Sequence, residues 1–268
     1  MIANVATIAG SDPSGGAGIQ ADHKTFAAHG VYGCSVLTAC TAQNTTGVFG
    51  VHAIPPDFVA QQLRVLLADV RLDGIKTGML ATADIITAVI QELDRSYTGP
   101  LVIDPVMVAT SGHRLLEPDA EAAMREQLLP RATMITPNLP EAAVLLRRDP
   151  VTSAAAMAEV MAGLVQLGAK TIYLKGGHSE GGNEMVDLFW DGSQIHALRA
   201  ARIETKNTHG TGCSLAAALA SNLAQGMAPL AAAQAAHAWL HRAIGAGNRL
   251  QVGSGHGPVL HAVDQLLP

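Results

Sequence analysis

The sequence predicts an α/β fold: a mostly parallel central sheet flanked by helices on both faces. Three observations carry that prediction. Apolar, strand-like runs alternate with helix-length segments along most of the chain, the pattern of a parallel sheet covered on both sides. Residues able to do chemistry recur just after those runs or at helix starts, along the sheet edge where open α/β folds bind ligands. Finally, 268 residues with 49% hydrophobic and 15% charged content support a sizeable core. No repeat and no Pro-, Gly- or Ser-rich linker divides the chain, so one domain over residues 1–268 is expected.

The elements follow in order. Residues 5–9 read as a buried strand that breaks at the glycine-rich stretch 10–18, with a helix over 19–29. That stretch lacks the Gly-Lys-Ser/Thr ending of a Walker loop and is not a clean G-x-G-x-x-G, so a dinucleotide fold is disfavoured. Residues 35–41 read as the next strand and 42–47 as a loop. Gln43 there offers one donor and one acceptor edge to a heterocycle, although a loop glutamine more commonly faces solvent. Residues 57–68 are helical behind Pro56, 74–79 a short strand and turn, and 83–95 an amphipathic helix. Residues 100–106 form an apolar strand carrying Asp104 near its end. Residues 117–129 are helical, 132–136 a strand, and 153–167 a helix. Residues 170–175 form a strand tipped by Lys175 before Gly176-Gly177-His178, where lysine suits phosphate or is merely exposed. A hairpin runs through 184–190 and 193–197 across Asp191-Gly192. Two helices close the chain, the second over 227–246.

Asn138 and Glu141 stand three apart at a strand end and helix start, so both fall on the first helical turn. Glu141 either complements the helix dipole or helps hold hydrated magnesium. The stretch Asn207-Thr208-His209-Gly210-Thr211-Gly212-Cys213-Ser214 opens directly into the Leu/Ala-rich run 215–224. Unpaired N–H groups at such a helix start, with the dipole behind them and two glycines clearing the approach, suit an anion, most often phosphate. Cys213 in the first turn is expected to have a lowered pKa for the same reason. The modest alternative is a tight turn followed by an inert buried thiol.

Net charge is −5 with no basic cluster, and aromatic residues make up 3%, so nucleic acid is not an expected partner. The cysteines Cys34, Cys40 and Cys213 have neither disulfide-framework nor zinc spacing, which fits a reducing, cytoplasmic setting. No basic leader precedes the first strand and no apolar run is long enough for a membrane span.

Residues 9–22, 42–45, 76–80, 104–107, 136–142, 175–178 and 207–213 together resemble the hydroxymethylpyrimidine/phosphomethylpyrimidine kinases of thiamine biosynthesis, in the ribokinase-like superfamily. The resemblance spans nearly the whole chain. It implies that ATP phosphorylates the hydroxymethyl group of 4-amino-5-hydroxymethyl-2-methylpyrimidine and that the same site then makes the diphosphate. It implies a catalytic anion hole from Gly210, Thr211, Gly212 and Cys213, with Cys213 as the base where most sugar kinases of the superfamily carry Asp. Gln43, Gly10, Ala17, Asp22, Met79 and Val106 would bind the pyrimidine. Lys175, Asn138, Glu141, Asp104 and Thr208 would bind ATP, with Glu141 and Asp104 holding Mg2+. A homodimer is implied as well, and no fused second enzyme is expected. The competing readings are a pyridoxal kinase, a cysteine-nucleophile hydrolase that would need a positioned histidine, and a non-catalytic vitamer or nucleotide sensor.

Overall fold

Alternation of side chains along the central strands decides which layer each residue joins. In the computed structural model, which describes residues 1–108, 115–151, 156–177 and 183–266, nine strands form one sheet in the order β3-β2-β1-β4-β5-β6-β7-β8-β9. These are β1 (Asn4–Ser11), β2 (Tyr32–Asn44), β3 (Gly47–Ala53), β4 (Gly74–Thr77), β5 (Leu101–Ile103), β6 (Met134–Ile135), β7 (Thr171–Leu174), β8 (Glu184–Trp190) and β9 (Ile195–Ala201). Strands β2-β1-β4-β5-β6-β7 run parallel. Antiparallel β3 extends one edge, and β8 and β9 extend the other.

Adjacent residues of one strand point to opposite faces. Ala6, Ile75, Ile103, Ile135 and Ile172 enter one apolar cluster, with α2 (Pro56–Asp69), α3 (Ala83–Ser96), α5 (Leu139–Leu146) and α6 (Met157–Val165) packed on it. Val5, Val102, Met134 and Tyr173 enter the other, beneath α1 (Gly18–Ala28), α7 (Thr211–Ala224), α8 (Pro229–Gly245) and the short α9 (Val263–Leu266). Every residue of α7 from Ser214 to Leu223 is buried, which explains its Leu/Ala composition without a polar stripe. The expected α/β architecture is therefore observed. No helix among the described residues is long and apolar enough to cross a membrane.

Two expectations need correction. The predicted loop 42–47 is largely strand: β2 continues through Asn44 and turns into β3, which sequence reasoning missed. This edge strand contains two glycines and exposes Phe49 and Val51, so it has no buried apolar pattern. The predicted helix 117–129 survives only as α4 (Ala120–Ala123), followed by a π turn at Met124–Leu128 and a 3-10 turn at Leu129–Arg131. Pro130 cannot supply the amide that a regular helix needs there, and its ring would press on the preceding turn. Ser153, at the start of the helix predicted over 153–167, and His178 lie outside the described residues.

Candidate active site

The C-terminal ends of the parallel strands and the start of α7 bring most of the predicted residues together. Gly10 near the end of β1 lies against Met79, just past β4: a Cβ at Gly10 would sit 3.3 Å from the Met79 sulfur. Thr38 donates to the Met79 carbonyl at 2.6 Å and holds that turn in place. Val106 is half-buried two residues beyond Asp104, its N–H bonded to the Asp104 carbonyl.

Asp104 follows β5 and is almost wholly buried. It accepts from Thr136 Oγ1 at 2.9 Å and from Lys175 Nζ at 2.9 Å. Lys175 also lies 3.6 Å from Glu141 Oε2. Asn138 and Glu141 form a capping box at the start of α5: the Asn138 side chain accepts the Glu141 N–H, and Glu141 accepts the Asn138 N–H. The spacing noted in the sequence thus has a structural role that also fixes where the carboxylate sits. Burial pushes the Glu141 carboxyl up to about 7 against the pull of Lys175. Burial opposes the Lys175 charge, but Asp104 and Glu141 outweigh it and hold its pKa above the ordinary value.

Two carboxylates bridged by one lysine, one of them hard to ionise without more positive charge, fit a divalent cation. Magnesium takes one or two carboxylates and fills its remaining positions with water and phosphate oxygens. Among the described residues no group of three or more acidic, His or Cys side chains gathers to hold a metal alone. A cation here would depend on the bound phosphates.

The turn before α7 carries the residues expected to meet an anion. Gly210 caps the helix at φ +75°, and a Cβ there would stand 1.8 Å from the Gly16 carbonyl oxygen. Thr211 begins the helix, its N–H bonded to the carbonyl of half-buried Thr208. Gly212 opens toward the charged group: a Cβ would lie 3.2 Å from Lys175 Nζ and 3.6 Å from Asp104 Oδ2. Gly210→Ala forces both a strained backbone and a collision with residue 16. It is expected to lower kcat about 100-fold by displacing the turn, checked by steady-state kinetics on folded protein.

Cys213 corrects an expectation. Its thiol is not lowered but pushed up to about 11. Burial is the main cause, Asp22 and Asp104 add to it, and Lys76 and the Gly18 N–H oppose it. Asp22 also departs from its expected place. It is wholly buried beneath the site, accepting from Lys76 Nζ at 2.8 Å and Thr7 Oγ1 at 2.6 Å, so it braces the floor rather than lining a pocket. Lys76, which sequence reasoning passed over, is also fully buried. Burial opposes its charge, but Asp22 holds its pKa above the ordinary value.

Asp12 and His209 were missed too. Asp12 accepts the N–H groups of Ser14, Gly16 and Ala17 and the Ser14 hydroxyl, tying up the glycine-rich loop, and His209 Nε2 meets it at 2.8 Å. Ala17 thereby caps α1 as part of that loop. Burial pushes the Asp12 carboxyl up, but His209 and the other donors outweigh it and bring it down to about 2. Gln43 Nε2 stands 3.4 Å from the same His209 nitrogen. With Nε2 engaged by Asp12, His209 does not form the cysteine–histidine pair that a hydrolase reading requires.

A family profile described as phosphomethylpyrimidine kinase matches residues 12–260. The chain belongs to the phosphomethylpyrimidine kinase family. The relative "Hydroxymethylpyrimidine/phosphomethylpyrimidine kinase" of Rhizobium meliloti is 49% identical over 97% of this chain and 97% of its own. A Staphylococcus aureus pyridoxal kinase, solved in complex with AMP-PCP and pyridoxal, superposes with a TM-score of 0.90 at 35% identity, covering 100% of this chain and 96% of that one. A Clostridium difficile phosphomethylpyrimidine kinase gives a TM-score of 0.79 at 37% identity over 90% of this chain and 99% of that one. Membership in the phosphomethylpyrimidine kinase family makes this chain a phosphotransferase that uses ATP.

Proposed function

We propose that this enzyme uses ATP and magnesium to phosphorylate 4-amino-5-hydroxymethyl-2-methylpyrimidine, and then its monophosphate, in thiamine biosynthesis. The observation that carries the reading is a single thiol, Cys213, in the first turn of α7. It follows Gly212, whose position faces Lys175 and Asp104, and Lys175 lies in turn beside Glu141. Gly10, Ala17, Met79, Val106 and Gln43 would bound the space for the ring, with Asp22 bracing the floor. Gln43 would read the amine and adjacent ring nitrogen. Lys175, Asn138, Glu141, Asp104 and Thr208 would hold the nucleotide, and Asp104 and Glu141 would hold magnesium. The cation would supply charge neutralisation at the phosphates.

The substrate oxygen forms its bond to the γ-phosphorus as the bond to the β-bridging oxygen breaks. The hydroxyl proton passes to the Cys213 sulfur. N–H groups of Gly210, Gly212 and Cys213 would receive the charge of the transferred phosphoryl group, the Thr211 N–H being bonded to the Thr208 carbonyl. Such transfers depend on positioning and charge neutralisation more than on strong base assistance. The catalytic unit is a homodimer acting in the cytoplasm.

The fold match favours one competing reading, phosphorylation of pyridoxal, whose hydroxymethyl group also sits on a six-membered ring. An ATP-coupled assay offering each alcohol separately tests both. The expected result is mono- and then diphosphate from the pyrimidine. Turnover of pyridoxal with the pyrimidine ignored would replace the substrate. Turnover of neither would remove the reading and leave a binding protein.

A further inference from the structure

The bonds around Gln43, taken one proton at a time, specify more than the positions of its atoms. Thr41 Oγ1 lies 2.8 Å from the Ser11 carbonyl oxygen and 3.2 Å from Gln43 Oε1. A hydroxyl has one proton, and the carbonyl at the shorter distance takes it. Thr41 therefore has none left for Gln43, and two oxygens face each other. On the other side, Gln43 Nε2 faces His209 Nε2 at 3.4 Å. That ring nitrogen lies 2.8 Å from Asp12 Oδ2 in a buried contact. The Asp12 carboxylate only accepts, so His209 Nε2 carries a hydrogen, and two donors face each other. A half-turn of the amide, which exchanges its oxygen and nitrogen, repairs both conflicts at once. Gln43 Nε2 then donates to Thr41 Oγ1, and Gln43 Oε1 accepts from the hydrogen that His209 shares with Asp12.

We infer that His209, oriented by Asp12, fixes the Gln43 amide in this sense and is the positioning residue that sets ring specificity. The amide keeps one free N–H and free lone pairs on Oε1. That pair complements a ring nitrogen beside an exocyclic amine, the edge of the aminopyrimidine. Pyridoxal has a ring nitrogen but no amine beside it, so it meets only half of that pair and gains less from a fixed amide. The His209 ring cannot drift away. A Cβ on Gly16 would come within 2.3 Å of its Cδ2, and the backbone N–H of His209 is bonded to the Gly257 carbonyl. The inference rests on the pyrimidine kinase reading above.

The test uses the full chain with His209→Phe, which keeps the ring against Gly16 but removes the donor, and His209→Gln, which restores an N–H. Wild type is assayed first with both alcohols. If it turns over neither, the function proposed above fails, independently of this inference. If wild type phosphorylates the pyrimidine, His209→Phe is expected to raise its KM about tenfold or more. The KM for ATP should stay within about twofold, and the preference for pyrimidine over pyridoxal should shrink by a similar factor. His209→Gln should recover part of that preference. An unchanged preference in His209→Phe overturns the inference, as does an equal loss toward both alcohols. A measurement on wild type alone covers the case of a variant that does not fold. Nitrogen NMR of the His209 imidazole should find Nε2 protonated at neutral pH, and a bare Nε2 overturns the assignment.

Discussion

Cys213→Ala is expected to cut kcat for the pyrimidine about 10²- to 10⁴-fold, the usual contribution of a positioned base. Cys213 is partly covered in the first turn of α7 and alanine keeps the helix, so the loss should come with a small change in stability, checked by thermal melting. The pH dependence carries a definite sign. Burial holds the thiol near 11, and the form that takes a proton is the thiolate. Wild-type kcat should therefore climb with pH from about 7 toward 9, by up to tenfold per unit while thiolate is scarce. The variant's residual rate should lack that slope. In the free protein, alkylation of the peptide carrying Cys213 should be slow at neutral pH and accelerate in alkaline solution. Rapid alkylation at neutral pH would contradict the raised pKa. A flat kcat profile would assign the proton to another acceptor.

The second large effect concerns the pair beneath that thiol. Lys76→Met leaves the Asp22 carboxylate buried with Thr7 as its remaining hydrogen-bond donor. Breaking a buried pair from one side costs about 3–5 kcal/mol, because the surviving charge has no compensation. Urea unfolding should register a loss of that size. Adding Asp22→Asn should restore much of the stability while leaving the thiol without its nearest positive charge. The double variant is then expected to be folded but slow. A single variant as stable as wild type would mean that Asp22 is already neutral in the fold.

The parallel strands were legible because burial on both faces writes continuous apolar runs, as at residues 101–103 and 171–174. The hairpin at Asp191-Gly192 was legible from its turn chemistry. Strand β3 was not, since an exposed edge demands no periodic pattern. The turn at 207–213 could be placed because its chemistry is local. What the local view could not supply was depth. A helix start argued for a low thiol pKa, but the neighbouring Asp22 and Asp104 come from α1 and from the end of β5, and only the folded chain brings them close. His209 was missed because its partner lies 197 positions away. A weak signal for Asp12 was present: an aspartate ahead of Pro-Ser-Gly-Gly readily collects the backbone N–H groups of its own loop.

That separation bears on how the protein is made. Strand β1 lies inside the sheet and precedes its neighbours in the chain, but the loop at its tip is clasped by residue 209, which is itself tied to residue 257. Closing a span of 197 residues costs more chain entropy than pairing neighbouring strands, so this clasp is expected to form after them. A nascent chain can therefore carry most of its parallel strands while having no phosphate cradle at all. The glycine-rich loop is therefore expected to take its final shape only once residues 209 and 257 have met.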